Sequence, residues 1–273
     1  ATVEPIAMLV REVAGPRAAV AVLVPPGASP HTFEPKPSDV AKLAGAALVV
    51  EAGAGLDGWL RALLAATSPA PARLTLVDVA GVDPLPAAAH ADGDGGGRHG
   101  RVDPHVWLDP IRVRDALVPA LVAQLAALDP AQRAAYEAAG RDFQERLGAL
   151  DAELRAALAG RGRRFVAFHA AWRYFAQRYG LEEVGVVEEA PGEEPTPREL
   201  AALVGRARAA GVPAILVEPQ LSPRVARAIA AEFGATTVLV DPNGDPSDPA
   251  RDGYAELLRW NAAAFARALG SAP

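Results

Sequence analysis

Short β-branched and apolar runs alternate along the chain with longer amphipathic stretches rich in Ala, Leu and Arg. Runs at Val20–Val24, Ala47–Glu51, Arg73–Val77, Phe165–Phe168, Val184–Val187, Ile215–Glu218 and Thr237–Val240 have the length and composition of strands. Between them, Pro5–Ala14, Ser38–Ala44, Gly55–Ala66, Arg112–Leu128, Trp172–Tyr179, Pro197–Ala210, Ser222–Phe233 and Asp252–Leu269 carry apolar residues at helical spacing. Strands separated by helical crossovers predict an α/β architecture with largely parallel sheets.

One segment interrupts this alternation. From Pro130 to Gly160 there is no strand, and Tyr136, Phe143, Leu147, Leu150, Leu154 and Leu158 recur at steps of three and four. Pro130 suits a first helical turn and Gly160 a C-terminal cap. A helix of about 30 residues would be about 45 Å long, and it divides the strands into three before and four after. The expected organisation is an N-terminal α/β lobe over 1–129, a rigid linking helix over 130–160 and a C-terminal α/β lobe over 161–273. A single sheet with one long crossover is the simpler alternative.

Composition narrows the function. No apolar run approaches the roughly 18 residues of a membrane span. The formal net charge is −6, and no basic stripe is interleaved with aromatics, which argues against nucleic acid as a partner. The chain contains no Cys; thiolate metal sites, disulfides, a cysteine nucleophile and a lipid-bearing cysteine are therefore absent from this sequence. It opens at Ala1-Thr2-Val3 and runs straight into a helical pattern, as expected of the mature part of an exported protein. Pro86 to Arg101, PAAAHADGDGGGRHGR, lacks bulky apolar residues and reads as a mobile surface loop.

Three of the five histidines occupy informative places. His31 follows a Pro-Pro-Gly turn after a strand, His105 lies in DPHVWLDP ahead of a helix, and His169 ends the run RRFVAF. Asp241 ends TTVLV in the same way, and Glu218 ends AILV. In α/β sheets the carboxyl ends of strands are where ligands bind. The spacings match no local zinc motif, and a lone histidine at a strand end is more often a hydrogen-bonded core residue than a ligand. Asp241 and Glu218 are equally good fourth candidates by residue type alone, while Asp103 and Asp109 read as turn or capping residues.

The segments VPPGASPHTFEPKPSDVAKLAGAALVVEAGAG, DPHVWLDP, FVAFHAAWRYFAQRYGL, EEPTPRELAAL and ILVEPQLSPRVARAIAAEFGATTVLVDPNGD resemble the solute-binding proteins of zinc and manganese ABC importers. The likeness spans nearly the whole chain, and PHTFEP together with DPHVWLDP is a specific combination. It implies two α/β lobes joined by a long helix, with a metal in the cleft between them. Carried over, the ligands fall on His31, His105, His169 and Asp241, and Glu218 falls beside the site without touching the metal. Asp103 and Asp109 flank His105 and are candidates to orient imidazoles.

Neutral imidazoles suit Zn2+, whereas Mn2+ prefers carboxylate oxygen; the manganese members usually carry Glu where this chain has His169. The resemblance therefore implies a periplasmic protein, expected to be a monomer, that captures Zn2+ and delivers it to an ABC importer permease, with a periplasmic metallochaperone as a further partner. His90, Asp92, Asp94 and His99 stand where zinc-type members carry a longer His-rich acidic loop, and a weak capture site there is one expectation. Two readings from other classes compete. A zinc hydrolase would use the three histidines with an open fourth position, yet no nucleophile motif or zinc-protease helix is present. A siderophore binder would need an aromatic-lined cleft, and only 5% of the residues are aromatic.

Overall fold

The computed structural model describes residues 1–87, 102–188, 192, 195–220 and 223–270. The N-terminal half contains helices α1 (Glu4–Ala14), α2 (Pro37–Leu43) and α3 (Leu60–Ala65), and strands β1 (Leu48–Glu51) and β2 (Ala72–Thr75). A helical stretch follows as α4 (Pro110–Arg112), a π-type turn (Val113–Leu117) and α5 (Val118–Leu128). Helix α6 (Arg133–Leu158) leads into β3 (Arg164–His169), α7 (Arg173–Tyr179), β4 (Glu182–Glu188), α8 (Pro197–Ala209), β5 (Ala214–Val217), α9 (Pro223–Glu232), β6 (Thr236–Leu239) and α10 (Tyr254–Leu269). Strands β1 and β2 pair in parallel, and the second sheet is parallel in the order β4-β3-β5-β6. The fold is α/β with two lobes and a long helix. No helix among the described residues is long and apolar enough to cross a membrane.

Helix α6 is shorter than its sequence pattern suggests. The chain starts with a 3-10 turn over Pro130–Gln132, and the α-helix runs 26 residues from Arg133, which corresponds to about 39 Å. Its apolar stripe is buried along its length: Tyr136, Phe143, Leu147, Leu150, Leu154 and Leu158 all face the core, together with Gly140. A Cβ on Gly140 would lie 2.5 Å from Val122 Cγ2, so α5 and α6 approach closely where the side chain is missing. Gly160 takes φ +68°, the left-handed conformation that ends helices. The core around α6 is continuous, joining Ile6 and Trp107 from the first half to Phe165, Trp172 and Phe265 from the second.

Three expected elements differ. Val20–Val24 is extended but forms no strand: Val24 and Leu23 donate to Thr2 and Ala1 carbonyls, while Thr2 donates to Val50. Ala1 and Thr2 thus lie between this segment and β1, and two residues are too few for a ladder. The helix expected from Gly55 begins only at Leu60. Gly53, Ala54 and Gly55 all have positive φ, and the Asp57 carboxylate accepts the Ala52 and Gly53 amides, which holds a loop there instead. The helix expected over Arg112–Leu128 starts two residues earlier, capped by the Asp109 carboxylate, and widens into its π-type turn just before Pro119. Proline has no N–H and crowds the carbonyl four residues back, so the regular ladder cannot pass through it. His90, Asp92, Asp94 and His99 lie outside the described residues.

Candidate metal centre

The second sheet presents three neighbouring carboxyl ends to one place. His169 is the last residue of β3, Glu218 follows β5, and Asp241 lies two residues beyond β6. The adjacency β3-β5-β6 makes these residues neighbours although their sequence separations are large. Opposite them, His31 sits in a 3-10 turn over Pro30–Thr32, and His105 directly precedes another over Val106–Leu108. The first turn is held by the Trp59 indole N–H, which donates to the Pro30 carbonyl at 3.2 Å. The His105 loop is held from across the cleft: Tyr254 Oη donates to the Trp107 carbonyl at 2.6 Å, Tyr174 Oη donates to the Asp103 carbonyl at 2.8 Å, and Trp107 Nε1 donates to the Pro242 carbonyl at 2.8 Å.

His31, His105 and His169 converge so that one nitrogen from each lies within 4.8 Å of the others; among the described residues this group holds no carboxylate. The Nε2 atoms of His31 and His105 are 3.4 Å apart. Two nitrogens bound to one tetrahedral Zn2+ at about 2.0–2.1 Å would be separated by about 3.3–3.4 Å. Two lone pairs at that distance repel unless a proton or a cation lies between them. The far side of each buried ring is held by a carboxylate. His105 Nδ1 pairs with Asp103 Oδ1 at 2.7 Å, and His169 Nδ1 pairs with Glu218 Oε1 at 3.1 Å. Such a partner fixes the tautomer and turns Nε2 toward the metal side. The second oxygen of Asp103 is buried with no hydrogen-bond partner among the described residues, an acceptor left over in a site that suits positive charge.

The cavity between the rings has a volume of about 10 Å³ and is lined by Ser29, Pro30, the three histidines, Glu218, Gln220, Pro242 and Asn243. That is room for one atom-sized guest and far below what a drug-sized organic ligand needs. Electrostatics separate the three imidazoles. Burial, reinforced by the His169 and His105 rings, pushes the His31 pKa down to about 2. Burial also opposes a charge on His169, but the adjoining Glu218 carboxylate outweighs it and holds that imidazole above its usual value. The surroundings therefore disfavour a proton on His31 and favour one on His169.

The remaining candidates are placed differently. Asp241 is 1% exposed. Its Oδ1 accepts the Asn243 and Gly244 amides, and its Oδ2 accepts Arg251 Nη1 at 2.7 Å. Burial pushes its carboxyl pKa up, opposed by these amides and the guanidinium. Asp109, flanking His105 in sequence, turns its carboxylate to Arg112 and to Arg178, at 2.6 and 2.8 Å, besides capping α4. It braces α4 against α7 instead of orienting an imidazole. Sequence reasoning passed over Trp107, Tyr174, Tyr254 and Arg251. Trp107 lies inside the DPHVWLDP motif and Arg251 stands ten residues after Asp241, so both are within local reach; Tyr174 and Tyr254 act across 71 and 147 residues and leave no local signal.

The family model described as "Zinc-uptake complex component A periplasmic" matches residues 1–268. The chain is 29% identical to the high-affinity zinc uptake system protein ZnuA of Paracoccus denitrificans, over 96% of this chain and 89% of that protein. It is 25% identical to the manganese ABC transporter substrate-binding lipoprotein PsaA of Streptococcus anginosus, over 94% of this chain and 84% of that one. A zinc-bound deletion mutant of ZnuA superposes with TM-score 0.83 at 32% identity, covering 100% of this chain and 97% of its own. The match over nearly its full length, the shared fold and the convergent imidazoles have one explanation: the chain belongs to the ZnuA-type family, whose members are metal-binding components of ABC importers and not enzymes.

Proposed function

We propose that this protein captures Zn2+ outside the cytoplasm and delivers it to an ABC importer permease, and that His31, His105, His169 and Asp241 are the metal's ligands. The observation that carries this reading is the imidazole geometry: a 3.4 Å Nε2–Nε2 separation, with two of the three rings anchored through Nδ1 by carboxylates. A donor set of three nitrogens and one oxygen favours Zn2+ over Mn2+, which takes more oxygen ligands. The small cavity argues against an organic solute. In this reading Asp241 leaves Arg251 to close the set, and Glu218 and Asp103 keep the rings aimed.

The ligands come from both sides of the cleft, two from a lobe over 1–129 and two from a lobe over 161–273, with 130–160 as the link. Binding then ties the lobes, and displacing one side suffices for release. With Asp241 bound, the charge of the ion and its ligands is near +1, and the buried carboxylates of Asp103 and Glu218 offset it further. A periplasmic location, a monomeric state and loading by a metallochaperone complete the proposal. Relatives carrying either metal in their names make the choice of ion the first thing to test. The metal-free protein should bind one Zn2+, and because most sites hold Zn2+ more tightly than Mn2+ in a tube, the test is the metal found in the protein isolated from cells supplied with both. Recovery with Mn2+ would assign the protein to manganese.

A further inference from the structure

The strongest unassigned feature near the cleft is the arginine that holds Asp241. Arg251 Nη1 lies 2.7 Å from Asp241 Oδ2, its Nε lies 2.9 Å from Asp248 Oδ2, and its Nη2 lies 3.6 Å from Asp245 Oδ2. The guanidinium also covers the Trp260 ring, 5.0 Å from its centroid. We propose that Arg251 competes with the metal for Asp241 and thereby sets how tightly the cleft holds its cargo. The inference rests on the reading of Asp241 as the fourth ligand.

The local geometry restricts what can move. The Asp241 backbone is held on both sides by Asn261, whose Oδ1 accepts the Asp241 amide at 2.8 Å and whose Nδ2 donates to its carbonyl at 2.6 Å. Asn261 is itself fully buried. The carboxylate can therefore reach a metal only by rotating its own side-chain torsions, and that rotation takes Oδ2 off Arg251. Arg251 is not left alone when this happens. Asp248, Asp245 and the Trp260 face still hold it, so the bond to Oδ2 can be exchanged for a metal bond without stranding a buried cation. The same arrangement works in reverse at release, because the guanidinium stays in place to take the carboxylate back. An arginine with Asp241 as its only partner would make the switch far more costly in one direction.

Removing the competitor leaves the buried Asp241 carboxylate of the empty state with only the Asn243 and Gly244 amides on Oδ1, and leaves the loaded state almost unchanged. Arg251→Gln should therefore bind Zn2+ about tenfold tighter, equivalent to about 1.4 kcal/mol, and release it correspondingly more slowly to a chelator. Its metal-free form should melt at a lower temperature, and its zinc-induced thermal shift should be larger. Arg251→Lys keeps the charge with a shorter, single-point grip, and should lie between the two. Asp241→Asn should weaken binding, and in that background Arg251→Gln should add no gain in affinity. If Asp241→Asn weakens binding but Arg251→Gln, or Arg251→Lys should the former fail to fold, binds no tighter than the parent, competition by Arg251 is wrong and the ligand assignment stands. If Asp241→Asn leaves affinity and the zinc-edge absorption spectrum unchanged, the ligand assignment fails, and this inference fails with it.

Discussion

The two sides of the candidate site position their side chains by different means. On the C-terminal side, His169, Glu218 and Asp241 are placed by the ends of β3, β5 and β6, and the register of a four-stranded parallel sheet sets their spacing. On the N-terminal side, the sheet has two strands; His31 sits in a 3-10 turn and His105 just before another, and side-chain hydrogen bonds from Trp59, Tyr174 and Tyr254 hold these segments. Two of these three donors belong to the opposite side. One half of the site is therefore built by backbone ladders and the other half is built largely by the first. The C-terminal half is the template, and the His105 loop is docked onto it.

The largest expected effect comes from the carboxylates that aim the rings, one on each side. Glu218→Gln and Asp103→Asn should each weaken zinc binding by about 10- to 100-fold, the usual range for such partners. Equal losses would mean that both rings depend on their carboxylate for orientation. If the strand end alone places His169, Glu218→Gln will cost much less than Asp103→Asn, which chelator competition can resolve.

The pH response divides the triad next. His169 keeps its proton above the usual imidazole range, because Glu218 outweighs burial, whereas His31 remains neutral down to about 2. Zinc must displace the His169 proton, so affinity falls as pH falls through that group's raised pKa, by up to about tenfold per pH unit for a single proton. His31 contributes no such loss in this range. Titration calorimetry in buffers of different ionisation enthalpy should detect the proton released on binding, and Glu218→Gln, by lowering the His169 pKa, should reduce it. Binding without proton release near neutral pH would overturn this assignment.

A smaller effect probes the docking of the loop. Tyr254→Phe removes the hydroxyl that donates to the Trp107 carbonyl, and should destabilise the fold by about 1 kcal/mol. Its cost to zinc affinity should be a few-fold at most, since Tyr174 and Trp107 still hold the loop. Chemical denaturation alongside a zinc titration checks both numbers, and an affinity loss approaching that of Asp103→Asn would make Tyr254 the principal support of His105.

This asymmetry also explains what could be read from the chain. The strands of the second sheet coincide with their apolar runs to within two residues: the central β3 and β5 are almost wholly buried, and the edge strands β4 and β6, though partly exposed, keep short apolar runs bounded by turn residues. The buried stripe of α6 was legible for the same reason. Val20–Val24 carries an equally strand-like pattern, yet its neighbours are only two residues of extended chain, a fact of tertiary placement. The site divides along similar lines. Strand-end position holds for His169 alone, since no strand forms at Val20–Val24 ahead of His31 and His105 stands in a loop; the family likeness points to all three. Asp109 flanks His105 in sequence as Asp103 does, on its other side, but its carboxylate belongs to two arginines, one of them 69 residues away. Tyr254 acts through a contact 147 residues away that no periodicity or motif encodes.

In the proposed site, three imidazoles from both sides of the cleft, joined by Asp241, hold one zinc ion. X-ray absorption at the zinc edge on the loaded protein tests it most directly. Four light-atom neighbours at about 2.0–2.2 Å, with multiple scattering from three imidazoles that drops to two in His169→Ala, is the predicted result. A six-coordinate, oxygen-rich shell, or a spectrum unchanged by His169→Ala, would contradict it.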